Sequence, residues 1–153
     1  MLACCNGDVR GVRECLSLEG YRRIDVHAHF EAAFRGACKH GQKGIVELLL
    51  SLSGDRRIDV SALFEAAFRE ACRGGHKSIV RLLLSLDGDR RIDVHIWDEE
   101  AFAGACQGGH ESIVQLLLSL DGDRRIDVHA GGERAFREAC RGGHESIVLM
   151  LLS

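Results

Sequence analysis

Long apolar runs, an excess of positive charge and proline are all missing from this 153-residue chain. No apolar stretch approaches the ~18–20 residues that a membrane-spanning helix needs. The densest, Ile147 to Leu152, reads as one apolar helix end. Met1-Leu2 runs straight into sequence that recurs later in the chain, so no signal peptide is expected. The formal charge is −3 and the pI near 6.2. A general nucleic-acid binder needs a basic surface to neutralise phosphates, and this balance argues against one.

Seven cysteines are present, yet their spacing argues against a disulfide scaffold. Five of them follow an alanine at intervals of 34 residues: Ala3-Cys4, Ala37-Cys38, Ala71-Cys72, Ala105-Cys106 and Ala139-Cys140. A period of this length is the mark of a stacked repeat protein. Successive units in a helical stack lie about 10 Å apart, whereas a disulfide needs Cα atoms within about 7 Å. The column therefore reads as small buried residues in a reducing compartment, the cytoplasm or nucleus. Cys5 and Cys15 fall outside the column and are expected to be more exposed.

The unit Asp55–Gly88 shows the pattern best. Ala67, Phe68, Ala71 and Cys72 make one apolar stripe on a helix spanning Glu65 to Arg73. Glu65 falls in its first turn, where a negative charge suits the helix dipole. Gly74-Gly75 breaks the helix. His76 opens a second, more apolar helix through Ser85, with Ile79, Val80, Leu82, Leu83 and Leu84. Two such helices make a hairpin. The connector after it holds a turn at Gly88 and then an alternating, extended arm, Ile92-Asp93-Val94. The fold class is an all-α repeat solenoid of helix-turn-helix units with extended connectors or short hairpins. The whole of 1–153 is read as one domain, with units near 1–20 (partial), 21–54, 55–88, 89–122 and 123–153.

Ala71-Cys72-Arg73-Gly74-Gly75-His76 followed by Ile79-Val80-Arg81-Leu82-Leu83-Leu84 resembles the ankyrin repeat, whose pattern there is A-A-x-x-G-H-x-x-I-V-x-L-L-L. The match returns from Ala37, Ala105 and Ala139, and more weakly from Ala3. The chain departs from the family in two ways. Ala66-Ala67-Phe68-Arg69 stands in place of the T-P-L-H tetrapeptide, in keeping with the absence of proline, and the loop after the second helix is longer. The resemblance implies a non-enzymatic scaffold for a protein partner, with a groove formed by hairpin tips and first helices. It implies no cofactor.

No catalytic or metal constellation stands out beside this. Cys72/His76, Cys106/His110 and Cys140/His144 are four apart, but each pair straddles the glycine turn and no third orienting group accompanies it. His27, His95 and His129 share a connector column broken by Ser61, and are expected to be solvent-facing or hydrogen-bonded. The arginine pairs 22-23, 56-57, 90-91 and 124-125 run beside nine connector aspartates, which points to ion pairs within and between repeats more than to an anion site.

The connector G-D-R-R-I-D-V barely changes, but the four residues after it do: His27-Ala28-His29-Phe30, Ser61-Ala62-Leu63-Phe64, His95-Ile96-Trp97-Asp98 and His129-Ala130-Gly131-Gly132. Apolar and aromatic residues at such tips are candidate anchors. The expected partner-binding residues are His29, Phe30, Leu63, Phe64, Ile96 and Trp97, the only tryptophan. The resemblance adds Arg35, Arg69 and Arg137 from the first helices. Phe30 and Phe64 read equally well as hydrophobic staples. Leu149 replaces the polar Glu47, Arg81 and Gln115 of its column. That suggests a longer array or self-association through the last helix, since terminal repeats carry polar outer faces. Neither nucleic acid nor membrane is expected as a partner.

Overall fold

The computed structural model describes residues 6–153, with all their side chains except those of Tyr21, Phe30 and Phe64. Among these residues the helices, in order, are α1 (Val9–Leu16), α2 (Ala28–Lys39), α3 (Lys43–Leu50), α4 (Ala62–Arg73), α5 (Lys77–Leu84), α6 (Ile96–Gln107), α7 (Glu111–Leu118), α8 (Ala130–Gly142) and α9 (Glu145–Leu152). The first helices α2, α4, α6 and α8 lie side by side in one layer, and the second helices α1, α3, α5, α7 and α9 form another against it. The all-α repeat stack expected from the 34-residue period is what the chain adopts.

The inner repeats contribute the same buried set. Phe34, Phe68 and Phe102 are fully enclosed, as are Ile45, Ile79 and Ile113 of the second helices. The alanine–cysteine column lies where neighbouring first helices meet, and its small side chains let them close. Cys38, Cys72 and Cys106 are buried free thiols. Burial pushes the thiols of Cys38 and Cys106 up to about 12 and that of Cys72 up as well, so they stay protonated and unreactive. Cys140 departs from the expectation: it is exposed, because α8 has a first helix packed on one side only among the described residues. Cys15 is exposed, as its place outside the column suggested. Cys4 and Cys5 lie outside the described residues.

The glycine turn does two jobs. Gly41, Gly75, Gly109 and Gly143 take the left-handed backbone, with φ of +70°, +79°, +72° and +72°, which glycine adopts without steric cost. The bare Cα of Gly41, Gly75 and Gly109 also leaves room for the imidazole of the next repeat, that of His76, His110 and His144. Each ring donates from Nε2 to a carbonyl at the end of the preceding first helix: His76 to Lys39 (2.9 Å), His110 to Arg73 (2.8 Å) and His144 to Gln107 (2.9 Å). The histidines thus turn away from the cysteines four residues before them, and no thiol–imidazole pair forms.

The connectors begin with 3-10 turns at Gly54–Arg56, Gly88–Arg90 and Gly122–Arg124, followed by extended backbone at Arg57, Arg91 and Arg125. Ile58, Val60, Ile92 and Val94 then turn into the core. Among the described residues these arms pair with no strand, so they are extended connectors and not hairpins. In the pairs 56-57 and 90-91 the two arginines divide the work, and Arg124 and Arg23 follow the role of their place in the pair. The first caps an earlier second helix, Arg56 donating to the Leu16 carbonyl at 2.9 Å and Arg124 to that of Leu84 at 3.2 Å. A guanidinium at that end suits the helix dipole. The second reaches forward to the next repeat's aspartate: Arg23–Asp55 at 2.8 Å, Arg57–Asp89 and Arg91–Asp123 at 2.6 Å. The arginine ladder is therefore an inter-repeat ion-pair ladder.

Candidate functional site

The first turn of each first helix carries the least ordinary backbone in the molecule. His29 and Glu31 have φ of +55° and +59°, Leu63 and Glu65 +53°, and Trp97, Asp98 and Glu99 +51°, +54° and +61°. Gly131, Gly132 and Glu133 repeat the conformation at +59°, +64° and +64°. A side chain in this region costs about 1–2 kcal/mol per residue because Cβ crowds the following carbonyl, and such strain persists only where neighbouring groups enforce it. Only the last tip has glycine at the first two positions. The helix over 65–73 read from the apolar stripe is thus preceded by a left-handed turn, and Glu65 is not a solvated dipole partner but a buried residue.

Two sets of contacts enforce the turn. The arginine six residues on donates from Nη2 to the carbonyl of its first residue: Arg35 to His29 (3.0 Å), Arg69 to Leu63 (3.2 Å) and Arg137 to Gly131 (3.3 Å). Ala103 holds that slot in the third repeat, where Arg69 of the preceding repeat instead stacks over Trp97, 4.3 Å from the ring centre. The glutamate that ends the turn is buried at Glu31, Glu65 and Glu99. Glu31 Oε1 accepts from His27 Nδ1 at 2.7 Å and from the backbone N–H of Asp59 at 3.0 Å. Glu99 Oε1 repeats this with His95 (2.7 Å) and Asp127 (3.1 Å). The other imidazole nitrogen, Nε2, lies 2.8 Å from the Asp55 carbonyl in His27 and 2.8 Å from that of Asp123 in His95. With a carboxylate at one nitrogen and a carbonyl at the other, the ring fits best when both carry hydrogen.

The bond to Glu31 therefore raises the pKa of His27, helped by the Asp55 carbonyl and Asp25, against a small effect of burial. Glu99, the Asp123 carbonyl and Asp93 do the same for His95. Ser61 breaks the column, and Glu65 has no imidazole; burial raises its carboxyl above the ordinary 4.5. A group with a raised folded-state pKa contributes its full stability below its unfolded value and loses it as the pH rises through the folded one. For both histidines the loss begins above 6.5. Glu65 acts in the same direction from lower pH. The denaturation midpoint is expected to fall from about pH 6 to pH 8.5, measured by circular dichroism at several pH values. The double variant His27→Gln/His95→Gln should flatten that slope, and Ser61→His should steepen it by adding the missing bridge. Parallel profiles for all three chains would contradict this.

Of the residues expected to bind a partner, Trp97 and Leu63 stand out from the surface, 53% and 39% exposed. His29 is exposed as well, Ile96 is half-buried, Arg35 and Arg69 are half-buried and Arg137 is exposed. His29, Leu63, Trp97 and Gly131 share one backbone conformation at the head of the left-handed turn. Phe30 and Phe64 lie outside the described side chains. The sequence reading missed the buried glutamates and Glu100, which Arg69, Arg73 and Arg134 all approach. A signal existed for the former: Glu31, Glu65, Glu99 and Glu133 recur at the repeat period beside an otherwise variable tip.

Among the described residues no helix is long and apolar enough to cross a membrane, and no group of three His, Cys, Asp or Glu side chains is placed to hold a metal ion. Comparison with the curated proteins finds no match. The family model described as ankyrin repeats (3 copies) matches residues 68–153, more than half of the chain. The helical pairs, the glycine turn and the histidine after it lie within that match, and the chain belongs to the ankyrin-repeat family.

Proposed function

We propose that the chain is a non-enzymatic scaffold that holds a protein partner on its first-helix face and the tips bordering it. Ankyrin repeats are generally protein–protein interaction modules, and the family is typically non-enzymatic. The observation that carries the reading is Trp97. A large aromatic side chain stands half out of the surface on left-handed backbone, at a position where the last repeat has the unstrained glycine. Arg69 stacks over the ring, yet Trp97 stays 53% exposed, and a partner that covers it gains a large, stiff anchor.

Replacing Trp97 by Ala should weaken capture of a protein partner by about 2 kcal/mol or more, near 30-fold, as for an interface anchor. Leu63→Ala should cost less. Both variants should keep the circular dichroism of the parent, with Trp97→Ala losing no more than the Arg69 stack, about 1 kcal/mol. Unchanged capture with an intact fold would remove these residues from the site.

A second reading has its own support. Leu149 and Leu152 are each 68% exposed, and Leu149 borders a cleft of about 360 Å³ with Cys140, His144 and Val148. Self-association through this face is the competing function. In the same experiment it is recognised by a mass that rises with concentration in sedimentation and stops rising in Leu149→Glu.

A further inference from the structure

The ion pairs of the two long surfaces are stacked in opposite order. On the connector edge the aspartates stand outermost: in Arg57–Asp89 the arginine is 43% exposed and the aspartate 70%, and the Arg23–Asp55 and Arg91–Asp123 pairs repeat this. On the first-helix face the cations stand outermost. Arg73 is 50% exposed over Glu100 at 12%, and Arg134 over Glu100, Arg141 over Glu138 and Lys39 over Glu70 follow the same order. The chain is acidic as a whole, yet the charge offered outward on this face is positive. Its centre lies between α4, α6 and α8, where three guanidiniums converge on the single carboxylate of Glu100. Beside them, Ala103 and Gly104 take the place of Arg69-Glu70 and Arg137-Glu138, and Trp97 forms the wall. Asp98 and Glu133 are exposed carboxylates at the tips that border the cationic area on the side of Arg134.

We propose that this part of the first-helix face recognises an acidic protein segment, whose carboxylates meet Arg73 and Arg134 above Glu100 while an adjoining residue lies against Trp97. The inference rests on the scaffold reading and specifies the partner's chemistry. Arginine favours carboxylate through its planar fork of donors. Arg73 and Arg134 lie 3.5 and 3.7 Å from the same Glu100 oxygen, so their guanidiniums are close together. An extended segment rises about 3.3 Å per residue and turns alternate side chains to one face, so acidic residues two apart meet the two arginines.

Trp97, as the only tryptophan, reports binding directly. The probe is a 15-residue peptide without Trp or Tyr, carrying Glu at alternate positions between Ser and Gly. Controls are the same peptide with Lys for Glu, one with Ser for Glu, and a single-stranded oligonucleotide of equal length. The Glu peptide should change Trp97 fluorescence saturably, with an affinity that falls as salt is raised. The variant Arg73→Glu/Arg134→Glu should bind it at least about tenfold more weakly, and Glu100→Gln, which removes the carboxylate that Arg73 and Arg134 share, several-fold more tightly. Equal binding of the Ser or Lys peptide, tighter binding of the oligonucleotide, or no response to the Glu peptide overturns the inference. If partner capture still depends on Trp97 but not on salt or on Arg73 and Arg134, the acidic assignment falls and the scaffold reading stands. If capture ignores Trp97 as well, both fall.

Discussion

Replacing Phe102 by Ala is expected to lower the unfolding free energy by about 3–5 kcal/mol, the usual cost of emptying an aromatic site in a core that cannot collapse around it. Phe102 lies at the heart of α6 with no exposed surface, enclosed by first helices on both sides. Phe136 holds the same slot in α8 but is only half-buried, because α8 is packed on one side among the described residues. Phe136→Ala should cost no more than about 2 kcal/mol, in proportion to the smaller apolar area it hides. Denaturant titration of the two variants checks the pair. Equal losses would mean that burial in each repeat does not depend on the repeat stacked upon it, against the nearest-neighbour logic of such folds.

The second large effect is at the glycine turn. In Gly75→Ala the new methyl would lie 2.6 Å from the His110 ring, on backbone at φ +79°. The left-handed conformation costs about 1–2 kcal/mol for a residue with Cβ. Displacing the ring forfeits the bond from His110 to the Arg73 carbonyl, worth a further 0.5–1.5 kcal/mol or so. The expected loss is about 2–3 kcal/mol. Gly88 separates the two contributions. It is also left-handed, at φ +64°, but a Cβ there meets nothing within 4 Å, so Gly88→Ala should show the backbone cost alone. Equal destabilisation at both sites, read by thermal melting, would show that the imidazole seat contributes nothing to repeat–repeat coupling.

Much of this architecture is legible in the sequence because it repeats. The recurrence of Ala-Cys, Gly-His and the apolar second helix sets helix, turn and register at once, and the register sets the tip column. The parts that escaped are those where one residue acts on another repeat. His76 looks like a partner for Cys72 four residues away, yet it serves the Lys39 carbonyl of the unit before. Glu65 has the composition of a solvated first turn, but it is buried where the connector of the next repeat crosses it. The left-handed turn was hidden for a related reason. Trp97, Asp98 and Glu99 do not favour that backbone, and it is held by the His95–Glu99 bridge and by contacts across the repeat boundary. Gly131-Gly132 was the one local hint.

The scaffold reading is tested most directly by amide hydrogen exchange of the chain alone and with a captured protein partner. Slowed exchange should appear at 63–65 and 97–99 and along α4 and α6, with the connector turns at 88–90 and 122–124 unchanged. Protection confined to the connector edge or to α9, with the tips exchanging as in the free chain, would contradict it.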